Sequence, residues 1–218
     1  MKRIAAIATM PGREEFLKKT IESLRGQVDE IRLYDNGKES VDLTDNGKFY
    51  FLKEYNEPVY YFSCDDDIIY PPTYIRDMIA AIDRYKSIVT HHGRKLTRKG
   101  VSYYRGGHVA YRCTGHVTRA RTIDVAGTGV TGFRTDYFNP VNIYKSKHKC
   151  MSDLVFSMEA RKQKKMIVVL PHKAGYIQAQ KVPREKTIFG NHVLNDAEQS
   201  ALADELQSLG AWRPSSKP

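Results

Sequence analysis

The sequence has few cysteines and no long hydrophobic run. These two shortages disfavour a zinc-binding or disulfide-rich protein and a membrane-spanning one. Its three cysteines, in 218 residues, include no C-x-x-C pair, which disfavours a structural zinc site and favours a reducing compartment. The longest strongly apolar run, at 166–170, is much shorter than the ~18 residues that a membrane helix needs. The apolar run at 4–10 ends at Pro11-Gly12 without a credible signal-peptide cleavage site. We therefore expect a soluble, cytoplasmic protein without a membrane span.

Acidic residues are also in short supply. The chain has 35 Lys and Arg against 25 Asp and Glu, which gives a formal charge of +10. Hydrophobic residues make up 41% of the chain and include 14 Tyr and 8 Phe, so a sizeable core is possible and a disordered tail is excluded. Because domains typically have ~150 residues, the length predicts one domain.

The first hundred residues alternate strand and helix patterns. An apolar run at 3–9 is followed by a helical pattern at 14–24, and further strand patterns occur at 30–34 and 58–62. This alternation predicts an α/β fold. Downstream, segments 101–104 and 108–112 flank Gly106-Gly107 and predict a hairpin. We expect one domain, 1–218, made of a nucleotide-binding half (1–92), a mixed half (93–180) and a C-terminal loop and helix (181–218).

Three aspartates, Asp65-Asp66-Asp67, close the predicted third strand. Ligands bind at strand ends in open α/β sheets, and adjacent carboxylates repel one another unless they are solvated, capped or bridged by a cation. Mg²⁺ or Mn²⁺ held by carboxylates and substrate phosphates is one such arrangement. The alternative is a turn that caps the helix entered through Pro71-Pro72.

The order of the motifs resembles that of nucleotide-sugar glycosyltransferases of the GT-A fold, family 2-like. The motifs are 8–13, Asp35-Asn36, 64–75, 127–130 and Ser152-Asp153, and the resemblance covers about residues 2–180. It implies a Rossmann-like GT-A domain with a mostly parallel central sheet, whose 93–180 half faces the acceptor. It also implies a UDP-sugar donor and a Mn²⁺ or Mg²⁺ cofactor.

The resemblance also assigns roles to residues of the donor side. Asp65 and Asp67 match the D-x-D carboxylates, with Asp67 the better candidate for the direct metal ligand. Asp35 would bind the uridine, and the loop from Thr9 to Arg13 would wrap the nucleotide. The nucleotide-sugar-binding residues that we predict are Thr9, Pro11, Arg13, Asp35, Asp65 and Asp66, although Arg13 could instead be a surface arginine.

The third metal ligand and the catalytic base are also implied by position. His172, directly after a strand, matches a third metal ligand in some of these enzymes, with His192 as a rival and a purely structural histidine as the alternative. Asp153 matches the base of inverting members, although the family often has two acidic residues there. The alternatives are a helix N-cap at 152–153 and Asp124 as the base.

Most of the net charge lies between residues 94 and 134. Nine Lys and Arg stand there against one Asp, which gives +8, and three tyrosines are interleaved. Cations neutralise phosphates and aromatic rings stack on bases, so this mixture suits a nucleic acid. The predicted acceptor-binding residues are Arg98, Lys99, Tyr103, Tyr104, Arg105, Tyr111 and Arg112. A solvated basic face, or an anionic lipid or polysaccharide acceptor, is the alternative.

The compact basic chain resembles bacteriophage enzymes that glycosylate 5-hydroxymethylcytosine in DNA. The better-known phage DNA glucosyltransferases have the GT-B architecture and lack the aspartate motif, so the resemblance favours another sugar such as arabinose. Such a protein would act in the host cytoplasm. The alternatives are a surface-polysaccharide or glycan transferase and a non-catalytic nucleic-acid-binding module. A nucleotidyltransferase is a less favoured alternative, because the Gly- and Lys/Arg-rich loop typical of that class after the first strand is reduced here to residues 11–13.

Overall fold

The structure is a computed structural model, and it describes residues 1–188, 190 and 195–210. The strands are β1 (Arg3–Thr9), β2 (Glu30–Asp35), β3 (Tyr60–Asp65), β4 (Ile68–Ile69), β5 (Ile88–Thr90), β6 (Gly93–Leu96), β7 (His108–Tyr111), β8 (Arg121–Ile123), β9 (Val125–Ala126), β10 (Val130–Arg134), β11 (Ile167–Val169) and β12 (Gln178–Ala179). The α-helices are α1 (Glu14–Leu24), α2 (Tyr74–Tyr85), α3 (Ser152–Lys162) and α4 (Ala197–Ser208), and 3₁₀ segments occur at Thr44–Glu54, Ile143–Lys145 and Arg184–Lys186.

The central sheet has the strand order β2-β1-β3-β10-β5-β11-β8. Strands β2, β1, β3, β5 and β11 run in one direction, and β10 and β8 run against their neighbours. Two small sheets, β12-β4 and β7-β6-β9, flank it. The predicted α/β class with a mostly parallel central sheet is confirmed.

Strand β1 contributes side chains to a hydrophobic core on each face of the central sheet. Ile4 and Ala6 belong to a core that includes Phe49 and Phe156, whereas Ala5 and Ile7 belong to the core beneath α1 and α2. Side chains of a strand alternate between faces, so a strand covered on both sides is apolar throughout. This burial accounts for the uninterrupted apolar residues 4–8 of the strand.

Two predicted elements differ in position. The third strand lies at 60–65 instead of 58–62, so that Asp65 is its last residue and pairs in register with Ala8 of β1. The partner of β7 is β6, not the segment 101–104. That segment is a turn because the N–H groups of Tyr103 and Tyr104 donate to Ser200 Oγ (2.9 Å) and Asp196 Oδ2 (2.8 Å), near the start of α4.

No helix in the described part of the chain has the length and apolarity needed to cross a membrane.

Candidate active site

The ends of the first three strands meet at one edge of the sheet. Thr9 of β1 pairs with Asp35 of β2, and Ala8 pairs with Asp65 of β3. Parallel strands bring their carboxyl ends to the same edge, where ligands bind in α/β proteins. The fold therefore gathers the donor-side residues that the resemblance implied.

The three aspartates do not share one environment. Asp66 is 5% exposed; its Oδ2 accepts a hydrogen bond from Thr9 Oγ1 (2.6 Å), and its Oδ1 pairs with Arg13 Nη2 (2.6 Å). Burial raises the pKa of Asp66 to about 6, although Arg13 and Thr9 oppose this rise. The side chains of Asp65 and Asp67 are 45% and 26% exposed. Asp66 is thus paired in the interior, whereas Asp65 and Asp67 are the two more exposed carboxylates, called the open pair here. The nucleotide-binding role predicted for Asp66 stays a prediction.

Arg13 is a buried arginine, not a surface one. Besides Asp66, its Nη2 pairs with Asp67 Oδ2 at 2.7 Å, and its Nη1 donates to the carbonyl of Lys186 at 2.9 Å. The guanidinium thereby joins the loop after β1 to the aspartates and to the 3₁₀ segment Arg184–Lys186. The donor contact that the resemblance implied for Arg13 stays a prediction.

Asp35 and Pro11 lie at the same edge. The Asp35 carboxylate accepts a hydrogen bond from Gly37 N (3.0 Å) and pairs with Lys38 Nζ (3.1 Å). The Pro11 ring lies against Gly37, so the loop after β1 and the turn after β2 are neighbours. Their nucleotide-binding roles remain predictions, but both residues border the open edge.

Lys48, which no sequence motif indicated, lies in the middle of this site. It belongs to the 3₁₀ segment Thr44–Glu54 and is 2% exposed. Its Nζ lies 2.5 Å from Asp65 Oδ1 and 3.4 Å from Thr128 Oγ1. The available signal was the run Phe49-Tyr50-Phe51-Leu52 directly after Lys48, which indicates a buried segment.

The Lys48 ammonium interacts electrostatically with several carboxylates. Burial alone would lower the pKa of Lys48, but Asp65, Asp45 and Asp153 together raise it above the ordinary lysine value. The pKa values of Asp45 and Asp153 are also raised, chiefly by burial. Lys48 therefore stays charged and lies between the donor-side aspartates and Asp153.

Asp153, the predicted base, lies in the first turn of α3. Its Oδ1 accepts hydrogen bonds from both the N–H and the hydroxyl of Thr128, each at 2.7 Å. The residue at the N-cap position is Met151, and no side chain caps the helix. The alternative role, a capping aspartate, is thus not the arrangement found; Asp153 is instead oriented by the turn between β9 and β10.

The predicted third metal ligand has its nitrogens occupied. His172 is 8% exposed, and its Nδ1 and Nε2 lie 2.9 Å and 3.1 Å from the carbonyls of Leu170 and Arg112. Across residues 1–188, 190 and 195–210, no group of three or more His, Cys, Asp or Glu side chains forms a metal cluster. The two carbonyl contacts favour the structural alternative for His172, and its role as a metal ligand stays a prediction. The rival His192 lies outside the described residues.

The charge and chemistry of the site nevertheless fit a divalent cation at Asp65 and Asp67. Two protein cations, Arg13 and Lys48, interact with five carboxyl groups. These belong to Asp45, Asp65, Asp66, Asp67 and Asp153. If all five are ionised, a formal surplus of three negative charges remains. Oxygen donors with surplus negative charge are what Mg²⁺ and Mn²⁺ prefer. The two exposed carboxylates could accept such an ion, whereas Asp66 could not.

The predicted acceptor-binding residues divide into a surface set and a buried one. Four cations are exposed on and beside the β6–β7 hairpin, and this set is called the basic surface: Arg98, Lys99, Arg105 and Arg112. Tyr104 and Tyr111 are half-buried. Tyr103 is 4% exposed, packs with Leu202 and Leu206 of α4, and accepts a hydrogen bond from Arg94 (2.6 Å), so it does not line this surface.

Asp124, the alternative base, is engaged elsewhere. Its carboxylate pairs with Lys95 (3.1 Å) and Arg161 (2.9 Å) and accepts a hydrogen bond from the backbone N–H of Leu96 (2.9 Å). These contacts join β6 to α3. Asp124 thus has a structural explanation, and Asp153 is the stronger candidate for the base.

No family model matches the chain, and no curated protein does either. Among solved structures, S. aureus TarS 1-349 in complex with UDP-GlcNAc is 16% identical, with a TM-score of 0.45, over 84% of this chain and 59% of that one. Another S. aureus TarS structure is 17% identical, with a TM-score of 0.47, over 95% of this chain and 42% of that one. The inositol-1-phosphate CTP transferase of T. maritima is 11% identical, with a TM-score of 0.35, over 94% and 77%. The chain thus spans about half the length of these two TarS structures.

Proposed function

We propose that the protein is a metal-dependent glycosyltransferase that moves a sugar from a UDP-sugar to a hydroxyl acceptor. The observation that carries this proposal is the link between two sets of carboxylates. Lys48 contacts Asp65 directly and reaches Asp153 through Thr128. The carboxylates proposed to hold a cation and the carboxylate proposed as base would therefore lie in one cluster, as a group transfer requires.

The donor side would be built at the sheet edge. Asp65 and Asp67 would hold Mn²⁺ or Mg²⁺, which offsets the charge that develops on the leaving diphosphate. The loop from Thr9 to Arg13 and the Asp35 carboxylate would contact the nucleotide. The proposed domain plan follows: 1–92 binds the donor, 93–180 faces the acceptor, and 181–218 completes the domain.

In the proposed step, the acceptor hydroxyl oxygen forms a bond to C1 of the sugar while the bond from C1 to the diphosphate oxygen breaks. Asp153 takes the hydroxyl proton, and UDP leaves with the electron pair of the broken bond. Thr128 directs both of its hydrogen bonds to Oδ1 of Asp153, so we assign the proton to Oδ2. Because burial raises the pKa of Asp153, the carboxylate is a stronger base than an ordinary aspartate. Direct attack inverts the configuration at C1.

As acceptor we propose 5-hydroxymethylcytosine in DNA, with arabinose as one possible sugar. The basic surface supports a polyanionic acceptor, because its four cations are exposed in the half that contains Asp153. With Tyr103 buried beneath α4, Tyr104 and Tyr111 are the aromatic candidates. The 5-position of cytosine would be reached in the major groove or after base flipping.

The test is to incubate the protein with Mn²⁺, a panel of UDP-sugars and DNA with or without hydroxymethylcytosine, and then to measure nucleoside masses. We expect a mass gain of one sugar residue on hydroxymethylcytosine only, and a much slower gain with Asp153→Asn. UDP release that needs a glycan instead would replace the DNA acceptor with the glycan alternative. Binding of DNA without any binding of UDP would leave only a non-catalytic nucleic-acid-binding module.

A further inference from the structure

We propose that Lys48 is a resident counter-ion of Asp65 that a divalent cation displaces, while Asp45 and Asp153 keep the displaced ammonium neutralised. This inference rests on the proposed function, because it concerns how the donor site is loaded. It assigns a role to a residue that no motif identified.

The first step is competition for one carboxylate. Lys48 Nζ lies 2.5 Å from Asp65 Oδ1, so the ammonium occupies the oxygen that would otherwise face a metal ion. Two cations at one carboxylate also repel each other, and the repulsion is strong in a partly buried site. Lys48 therefore weakens metal binding at Asp65 until it moves away.

The second step is that Lys48 has other partners. Asp45 and Asp153 both act on its charge, and its Nζ is already 3.4 Å from Thr128 Oγ1, which is hydrogen-bonded to Asp153. An ammonium that loses a buried carboxylate would normally face a large desolvation penalty. Here Asp45 and Asp153 already act on the ammonium and continue to do so when Asp65 is lost, which offsets part of that penalty.

Arg13 is arranged in the same way on the other side of the aspartates. Its Nη2 lies 2.7 Å from the exposed Asp67 and 2.6 Å from the buried Asp66. If Asp67 binds a metal ion, Asp66 still neutralises the guanidinium. Asp65 and Asp67 are thus each paired with a protein cation that a second, more buried carboxylate also neutralises.

The test measures Mn²⁺ binding by isothermal titration calorimetry on metal-free protein without nucleotide. Lys48→Met should bind Mn²⁺ at least about tenfold more tightly than wild type, because a competing positive charge is removed. Lys48→Arg, which keeps the charge, should stay near wild type. Lys53→Met removes an exposed lysine from the same 3₁₀ segment and should leave Mn²⁺ affinity unchanged. Adding Asp65→Ala to Lys48→Met should abolish the gain.

An Mn²⁺ affinity that is unchanged or weaker in Lys48→Met would overturn the inference. Lys48→Gln, which keeps a polar side chain without the charge, gives the same test if Lys48→Met does not fold. UDP binding by wild type is measured on the same preparation. If wild type binds UDP with Mn²⁺ and Lys48→Met shows no gain, only the role of Lys48 fails; if wild type binds neither Mn²⁺ nor UDP, both proposals fail.

Discussion

Gly129→Ala should disable the donor side while leaving the fold intact. A Cβ on Gly129 would lie 2.0 Å from Asp65 Oδ2 and 2.3 Å from Asp65 Cγ. Because ordinary contacts start near 3.4 Å, the carboxylate must move by about 1.4 Å. The Asp65 side chain is 45% exposed, so it can swing into solvent, but it then leaves Lys48 and the open pair with Asp67. A misplacement of about 1 Å in reactive geometry costs about 100-fold, so we expect at least that loss of UDP-sugar turnover.

The assay is Mn²⁺-dependent UDP release from a UDP-sugar, together with urea denaturation of each variant. The free energy of unfolding should change by less than about 1 kcal/mol, because the group that gives way is a half-exposed side chain and Asp45 and Asp153 still act on Lys48. Gly106→Ala is the matched control: its Cβ meets nothing within 4 Å, so turnover should be unchanged. Wild-type turnover in Gly129→Ala would refute the role of Asp65. Global unfolding of the variant would refute the expectation that the Asp65 carboxylate can move aside without loss of the fold.

Four further predictions concern the base, the cation and the acceptor. Asp153→Asn should keep UDP binding and lose about 10²- to 10⁴-fold in transfer, whereas full turnover would remove it as the base. Because burial raises the pKa of Asp153 and the base must be deprotonated, kcat/KM should fall on the acid side at a pH above the usual aspartate pKa of about 3.9. Asp67→Ala should lose the Mn²⁺-dependent part of UDP binding, measured by titration with Mn²⁺ and with EDTA. Reversing Arg98, Lys99 and Arg105 to Glu should weaken DNA binding and lower its salt slope by about 1 for each side chain that no longer neutralises a phosphate, and an unchanged slope would exclude them from the acceptor surface.

The elements that sequence predicted well are those set by local patterns. The strand at 3–9 and the helix at 14–24 agree with the structure residue for residue, because their burial follows the periodicity of their own apolar side chains. The partner of β7 could not be found this way. Residues 101–104 are held as a turn by Ser200 and Asp196, which lie almost a hundred residues away along the chain.

In the candidate site, too, local motifs were predictable from the sequence and long-range contacts were not. A contiguous motif predicted a role for Asp65 and Asp67, but their difference from Asp66 depends on Thr9 and Arg13, which come from another strand and its loop. Lys48 was missed for the same reason. The carboxylates around Lys48 come from separate parts of the chain: Asp65 closes β3, and Asp153 stands more than a hundred residues away in sequence.

The central claim is that Asp65 and Asp67 hold a divalent cation for a UDP-sugar. The most direct test is a calorimetric titration of UDP into metal-free wild-type protein, with Mn²⁺ and then with EDTA. We expect clear binding with Mn²⁺ and a large loss of affinity in EDTA, because the diphosphate would otherwise meet a surplus of carboxylates. Equal affinity under both conditions, or no UDP binding under either, would contradict the claim.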